Sequence, residues 1–198
     1  MPEYNTRTAL IVVDVQNDFA HPDGSLYVSG AETVIQAANG AIADARAGGA
    51  LLVYTQDWHP EHTPHFVTDG GLWPVHCVAE TWGAEFHTDL VRDDGPVVRK
   101  GVDGADGYSG FTTRDPQTGE QRATDLNRIL QERGVERVVV VGLATDYCVV
   151  ETAVDAMALG FEVVVSTAAT AAVDLEPGDG ERALSRLESL GAIIERDA

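Results

Sequence analysis

Three residues with the chemistry of a covalent hydrolase each stand at the end of a short apolar run. They are Asp14 after residues 9–13, Lys100 after residues 96–99 and Cys148 after residues 137–141. If those runs are parallel strands, their carboxyl ends share one edge of a sheet, where ligands bind. An acid, a base and a thiol that are far apart in sequence can then meet in one crevice, as nucleophilic catalysis requires.

Cys148 is the candidate nucleophile because a helix is predicted to begin beside it, at residues 149–159. The first turn of a helix presents unpaired N–H groups and a partial positive charge, which favour a thiolate over a thiol. A small buried residue that packs behind the sheet is the alternative for this position. Asp14 could likewise cap a turn and Lys100 could be a solvated charge, but the three residues together favour function.

A second group of candidate residues could bind a metal ion. Five of the six histidines lie between residues 56 and 88, together with all three tryptophans. Asp57 and His59 are two residues apart, so an extended backbone points both side chains to one side, and His76 could complete a triad. Two imidazoles and a carboxylate suit Zn(II), Fe(II) or Mn(II) and leave open positions for water and substrate. Structural hydrogen bonding between Asp57 and His59 is the alternative.

The elements that must position these residues follow from the hydrophobic pattern. Short runs rich in Val, Ile and Leu, typical of strands buried on both faces, occur at residues 9–13, 50–54, 96–99, 137–141, 161–165 and 191–194. Helical periodicity occurs at residues 31–47, 123–133, 149–159 and 180–190. The alternation predicts an α/β fold, a three-layer sandwich with a six-stranded, mostly parallel sheet. Residues 56–88 and 101–121 are too long for ordinary connections, which favours a site there.

Chain length and net charge limit the number of domains and the kinds of partner that this protein can have. We expect the 198 residues to form a single domain, 1–198. Thirty-two acidic against 13 basic residues give a formal charge of −19, which argues against nucleic acid and anionic membranes as partners. No apolar run is long enough to span a bilayer and no secretory signal is evident, so we expect a cytoplasmic protein. Cys77 and Cys148 should be reduced there.

Five segments resemble the nicotinamidase branch of the isochorismatase-like cysteine hydrolases, in the same order as in that family. They are DVQNDF at 14–19, DWHP at 57–60, WPVHCV at 73–78, RKG at 99–101 with YSGF at 108–111, and GLATDYCV at 142–149. The resemblance implies a catalytic triad of Asp14, Lys100 and Cys148. It also implies an oxyanion hole formed by the N–H groups of Ala144 and Cys148, and a cis bond between Leu143 and Ala144.

The same resemblance implies one divalent metal ion, most often zinc, bound by Asp57, His59 and His76. It also implies that aromatic side chains bind the substrate, and these are Phe19, Trp73 and Tyr108. One passage departs from the family pattern, since Thr63 stands where a second histidine is expected and His65 where a serine is expected. His62 or His65 could replace the missing ligand, and a surface histidine on a loop is the alternative for each.

The activity that this resemblance implies is hydrolysis of nicotinamide to nicotinate and ammonia through a thioester on the cysteine. A related hydrolase that acts on another small amide, ureide or carbamoyl compound is the main alternative. Isochorismate hydrolysis fits poorly because it needs no Asp57-Trp58-His59 metal motif. A catalytically inactive protein that only binds a pyridine metabolite would not need the catalytic triad. The substrate is then a small-molecule amide, and the sequence leaves open whether the chain is monomeric or a homo-oligomer.

Overall fold

A six-stranded sheet forms the middle of the molecule in the computed structural model, which describes residues 3–196. The first two and last two residues of the predicted domain, 1–198, lie outside the described residues. The strands are β1 (Thr8–Val13), β2 (Leu51–Asp57), β3 (Val97–Lys100), β4 (Thr112–Arg114), β5 (Gln121–Ala123), β6 (Arg137–Leu143), β7 (Glu162–Ala171) and β8 (Ile193–Glu195). The main sheet has the order β3-β2-β1-β6-β7-β8, and all its neighbouring strands are parallel.

Helices cover both faces of this sheet, as the alternating pattern predicts. They are α1 (Asn17–Ala20), α2 (Ala31–Gly48), α3 (Leu126–Glu132), α4 (Val150–Ala158) and α5 (Asp179–Leu190). Side chains of β1 alternate between the two faces, so Ile11 packs with α3, α4 and α5 whereas Leu10 packs with α2. The result is the predicted three-layer sandwich. None of the helices in residues 3–196 has both the length and the apolar character needed to cross a membrane.

The order of the strands determines where in the sheet the site lies. The chain runs from β1 outward through β2 to β3, and then returns to the other side of β1 as β6. The order therefore reverses between β1 and β6, the position at which open parallel sheets form a crevice for ligands. Asp14 follows β1, and Cys148 follows β6 within a π-helical turn, Thr145–Val149.

Two predicted helices begin later than the sequence indicated. The helix expected from residue 123 begins at Leu126, because residues 121–123 instead pair with β4 in an antiparallel hairpin. The Thr124 hydroxyl accepts the N–H of Leu126 at 3.1 Å, which ends the strand and starts the helix. The helix expected from residue 149 begins at Val150, after the π-helical turn. Most of the hairpin lies in the long segment, residues 101–121, for which no element was predicted.

Gly142 permits the close approach of β6 to β1 beside the site. Its φ is +113°, and a Cβ built there would lie 2.1 Å from the carbonyl oxygen of Val13. The pairing of β6 with β7 also shifts between Val140 and Gly142. A side chain at this position would therefore push apart the two strands whose ends carry Asp14 and Cys148.

We expect Gly142→Ala to lower the free energy of unfolding by about 3 kcal/mol or more, since it adds backbone strain and a collision with β1. Gly134→Ala is the matched control, because Gly134 also has a positive φ, +64°, but a Cβ there meets nothing within 4 Å. It should cost about 1 kcal/mol. Urea unfolding of both variants measures the difference, and equal losses would contradict this account of Gly142.

Candidate active site

The ammonium of Lys100 lies at the centre of the site and is almost completely buried, with 1% of its side chain exposed. Its Nζ is 2.8 Å from Oδ2 of Asp14, contacts Oδ1 of Asp57, and donates to Sγ of Cys148 at 3.4 Å. Burial acts to lower the pKa of Lys100, but the carboxylates of Asp14 and then Asp57 outweigh it and hold that pKa well above its ordinary value. Lys100 is therefore the fixed positive charge of the site.

The two carboxylates beside Lys100 have different environments. Burial raises the pKa of Asp14, and attraction to Lys100 only partly offsets it; the hydroxyl of Thr55 donates to Oδ1 at 2.7 Å. Burial also acts to raise the pKa of Asp57, but Lys100, His59 and His76 outweigh it and lower that pKa. Asp14 is thus the carboxylate that takes up a proton more readily, whereas Asp57 keeps its charge.

Cys148 lies at the predicted junction, with 6% of its surface exposed. The expectation that the start of the helix favours a thiolate is wrong for the resting site. Burial raises the pKa of Cys148 well above its ordinary value, Lys100 opposes this shift, and Asp14 and Asp57 add to it. The raised pKa favours a thiol over a thiolate at rest, so a neighbouring base must remove the proton, and a carboxylate oxygen of Asp14 lies within 4.8 Å of Sγ.

The predicted metal ligands lie together on the other side of Asp57. Oδ2 of Asp57 is 3.9 Å from Nε2 of His59 and 3.9 Å from Nε2 of His76. Two donors about 2 Å from one ion can lie at most about 4 Å apart, so these separations are compatible with a shared ion. Nδ1 of His76 lies 2.7 Å from the carbonyl oxygen of Pro74, which leaves Nε2 for the ion. Both ring nitrogens of His59 are buried without a hydrogen-bond partner. A divalent ion fits these donors and would satisfy one of the two ring nitrogens of His59.

His65 joins this group and His62 does not. One nitrogen from each of His59, His65 and His76 lies within 4.8 Å of the others, and the His65 ring stacks on His59 with centroids 4.8 Å apart. His65 is buried, so its interpretation as a surface histidine is wrong. His62 has 78% of its side chain exposed and pairs with Asp69. The hydroxyl of Thr63 accepts the backbone N–H of His65 at 3.3 Å, which helps to place that ring.

Several residues that hold the ligands in place were not assigned a role from the sequence. The side chain of Gln16 bonds both the N–H and the carbonyl oxygen of Asp57, at 2.8 and 2.7 Å. Asp18 accepts the N–H of Cys77 at 2.7 Å and so fixes the backbone next to His76. Both lie in the DVQNDF segment, and their burial among polar groups is visible only in the folded chain.

A pocket with aromatic walls opens onto both groups. The predicted residues Phe19, Trp73, Tyr108, Ala144 and Cys148 all line it, and so does Tyr147, which the sequence analysis did not single out. Nε1 of Trp73 donates to the hydroxyl of Tyr108 at 3.0 Å, and the Tyr147 ring meets Trp73 edge-on at 4.9 Å. The predicted cis bond between Leu143 and Ala144 is present. Such walls bind a flat ring.

Comparison with known proteins agrees with this geometry. Residues 8–197 match the isochorismatase domain. This chain belongs to the isochorismatase domain family. The nicotinamidase of Escherichia coli (strain K12) is 32% identical, over 94% of this chain and 93% of that protein. The pyrazinamidase of Pyrococcus horikoshii, solved in complex with zinc, is 42% identical with a TM-score of 0.85, covering 96% of this chain and 99% of that chain.

A third relative was solved with a small molecule in place. It is PnC1 from L. infantum in complex with nicotinate, 37% identical with a TM-score of 0.88, covering 98% of this chain and 96% of that chain. The predicted family and fold are therefore confirmed.

The buried histidines predict how the stability of the metal-free protein depends on pH. Burial lowers the pKa of His59 from 6.5 to about 4. Between these values the unfolded chain binds more protons than the folded chain, so stability falls as the pH falls. His59 alone should remove about 2 to 3 kcal/mol between pH 6.5 and pH 4. Urea unfolding of metal-free protein at several pH values measures this slope.

Two variants identify the histidine responsible. His59→Gln should flatten the slope, whereas His62→Gln, at the exposed histidine, should leave it unchanged. A slope that is the same in His59→Gln as in the unmodified chain would refute the assignment.

Proposed function

We propose that this protein hydrolyses nicotinamide to nicotinate and ammonia through a thioester on Cys148. One observation carries the proposal: Sγ of Cys148 and the carboxylate of Asp14 both lie against Lys100. Cys148 also lines a pocket together with three of the four candidate metal donors, Asp57, His65 and His76. The names of the relatives support the substrate, because they include a nicotinamidase and a protein bound to nicotinate.

The first step needs the thiol of Cys148 to lose its proton as it attacks the amide carbon. Asp14 is the base in this proposal, since its pKa is raised and it shares the ammonium of Lys100 with the sulfur. Lys100 stays protonated and stabilises negative charge, first on Asp14 and then on the thiolate. The attack forms a C–S bond and a tetrahedral oxyanion.

The rest of the cycle uses the same groups. The N–H groups of Ala144 and Cys148 are the proposed donors to the oxyanion, and each such donor is generally worth about 3 to 4 kcal/mol. Asp14 returns its proton to the departing nitrogen, and ammonia leaves as the thioester forms. Water then loses a proton to Asp14 and attacks the thioester, which releases nicotinate, and the proton returns to Cys148.

Recognition of the ring is assigned to the other half of the pocket. Asp57, His59 and His76, together with His65, are the residues that would hold a divalent ion, and zinc suits three imidazoles and one carboxylate. When bound, such an ion would act as a Lewis acid that can accept the lone pair of a pyridine nitrogen. Phe19, Trp73 and Tyr108 would stack against the ring, so that the carboxamide points to Cys148.

Purified protein should release ammonia from nicotinamide, and Cys148→Ala, Asp14→Asn and Lys100→Met should each lower kcat by about a thousandfold or more, because the three groups act as a unit. Cys77→Ser is the control, since the side chain of that buried cysteine makes only a weak contact with the carbonyl oxygen of Gly83. A Cys148→Ala variant with near-normal turnover would overturn the mechanism. An active enzyme that does not hydrolyse nicotinamide but cleaves another small amide would contradict only the proposed substrate.

Removal of the ion should lower kcat/KM more for nicotinamide than for benzamide, which has the same shape but no ring nitrogen. We expect chelation to lower kcat/KM for nicotinamide by about tenfold or more, equivalent to about 1.4 kcal/mol, and to leave benzamide nearly unchanged. Added Zn²⁺ should restore kcat/KM for nicotinamide. Equal losses for both amides would argue against a role of the ion in binding the pyridine nitrogen.

A further inference from the structure

His65 makes a contact that none of the other candidate ligands makes. Its Nδ1 lies 2.8 Å from Oδ1 of Asp106, and both side chains are largely buried. A carboxylate oxygen can only accept, so Nδ1 carries the hydrogen and Nε2 keeps its lone pair. Nε2 is therefore the nitrogen that His65 offers to the cluster with His59 and His76.

Asp106 is itself held firmly from three directions. The N–H of Gly107 donates to Oδ1 at 2.8 Å, and Nη2 of Arg114 donates to Oδ2 at 3.3 Å. The backbones of Asp106 and Arg114 also exchange two hydrogen bonds of 2.6 Å each. Arg114 is the last residue of β4, so the hairpin of β4 and β5 fixes the carboxylate that His65 meets.

We propose that Asp106 is a positioning residue that fixes the tautomer and orientation of His65, so that the β4–β5 hairpin controls how tightly the protein retains its metal ion. Carboxylates that accept from a ligating histidine act in this way in other metal sites, and their loss typically weakens metal binding by 10- to 100-fold. The inference rests on the metal site of the proposed function and is independent of the substrate.

Among the described residues, neither strand of the hairpin contributes a side chain to the aromatic pocket or to the candidate metal donors. Its strands are short, and β5 is exposed along its length. The turn between them is closed by Asp115, whose Oδ1 accepts the N–H groups of Gln117 and Thr118 at 2.8 and 2.9 Å. Asp115 is therefore a matched control: it is an aspartate in the same hairpin, it stabilises local structure, and it is not the carboxylate paired with His65.

The experiment is a Zn²⁺ titration of metal-free protein in competition with a chromophoric chelator, with no amide present. Asp106→Ala should weaken Zn²⁺ binding by about 10- to 100-fold. Asp106→Asn should weaken it less, because the amide oxygen can still accept from Nδ1. Asp115→Ala should bind Zn²⁺ as the unmodified protein does, although it is expected to lower the unfolding midpoint.

A double-mutant cycle separates positioning from a general loss of structure. In a chain that already carries His65→Ala, adding Asp106→Ala should cause no further loss of Zn²⁺ affinity. Unchanged binding by Asp106→Ala, an equal loss in Asp115→Ala, or full additivity with His65→Ala would each overturn the inference.

Failure of the proposed metal site gives a different result, since the unmodified protein would then bind no Zn²⁺ at all and the inference would fall with that site. Failure of the proposed substrate alone would leave the Zn²⁺ titrations unaffected.

Discussion

The buried ammonium of Lys100 is the interaction on which the rest of the site depends. Asp14, Asp57 and Cys148 can be charged in this site only because one fixed cation is within reach of all three. A buried charge without a partner is costly, and the loss of one member of such a group leaves the others uncompensated. Without Lys100, repulsion and burial would protonate a carboxylate, and the site would lose either its base or a metal ligand.

Asp57 connects the two halves of the site. Its Oδ1 contacts Lys100, whereas its Oδ2 faces the imidazoles of His59 and His76. The protonation of Asp14 and the charge at the metal donors are thereby linked through one carboxylate. Gln16 holds the backbone of Asp57 on both sides, so this linkage has a fixed geometry. A ring held at the metal donors and an amide carbon at Cys148 would then keep a constant separation.

The parallel sheet brings the acid, the cation and the thiol together, and the irregular segments complete the site. Asp14 and Cys148 follow β1 and β6, and Lys100 is the last residue of β3. The reversal of strand order between β1 and β6 opens the crevice between Asp14 and Cys148. His65, His76, Trp73 and Tyr108 come from the two long segments that contain little regular structure. Backbone contacts, such as that of Asp18 with Cys77, replace regular structure in holding these segments.

The sequence by itself determined the strands, the three-layer architecture and the residues at strand ends, because buried parallel strands and their charged exits leave local patterns. It also proposed Asp57, His59 and His76 as metal ligands through two segments that resemble the family. Only the tertiary structure decided that His65 and not His62 lies with His59 and His76, that Asp106 contacts His65, and that burial raises the pKa of Cys148. Each of these depends on burial and on partners tens of residues away, such as Asp106 for His65 and Lys100 for Cys148. The hairpin of β4 and β5 was not predicted for a different reason, since its polar strands carry no hydrophobic alternation.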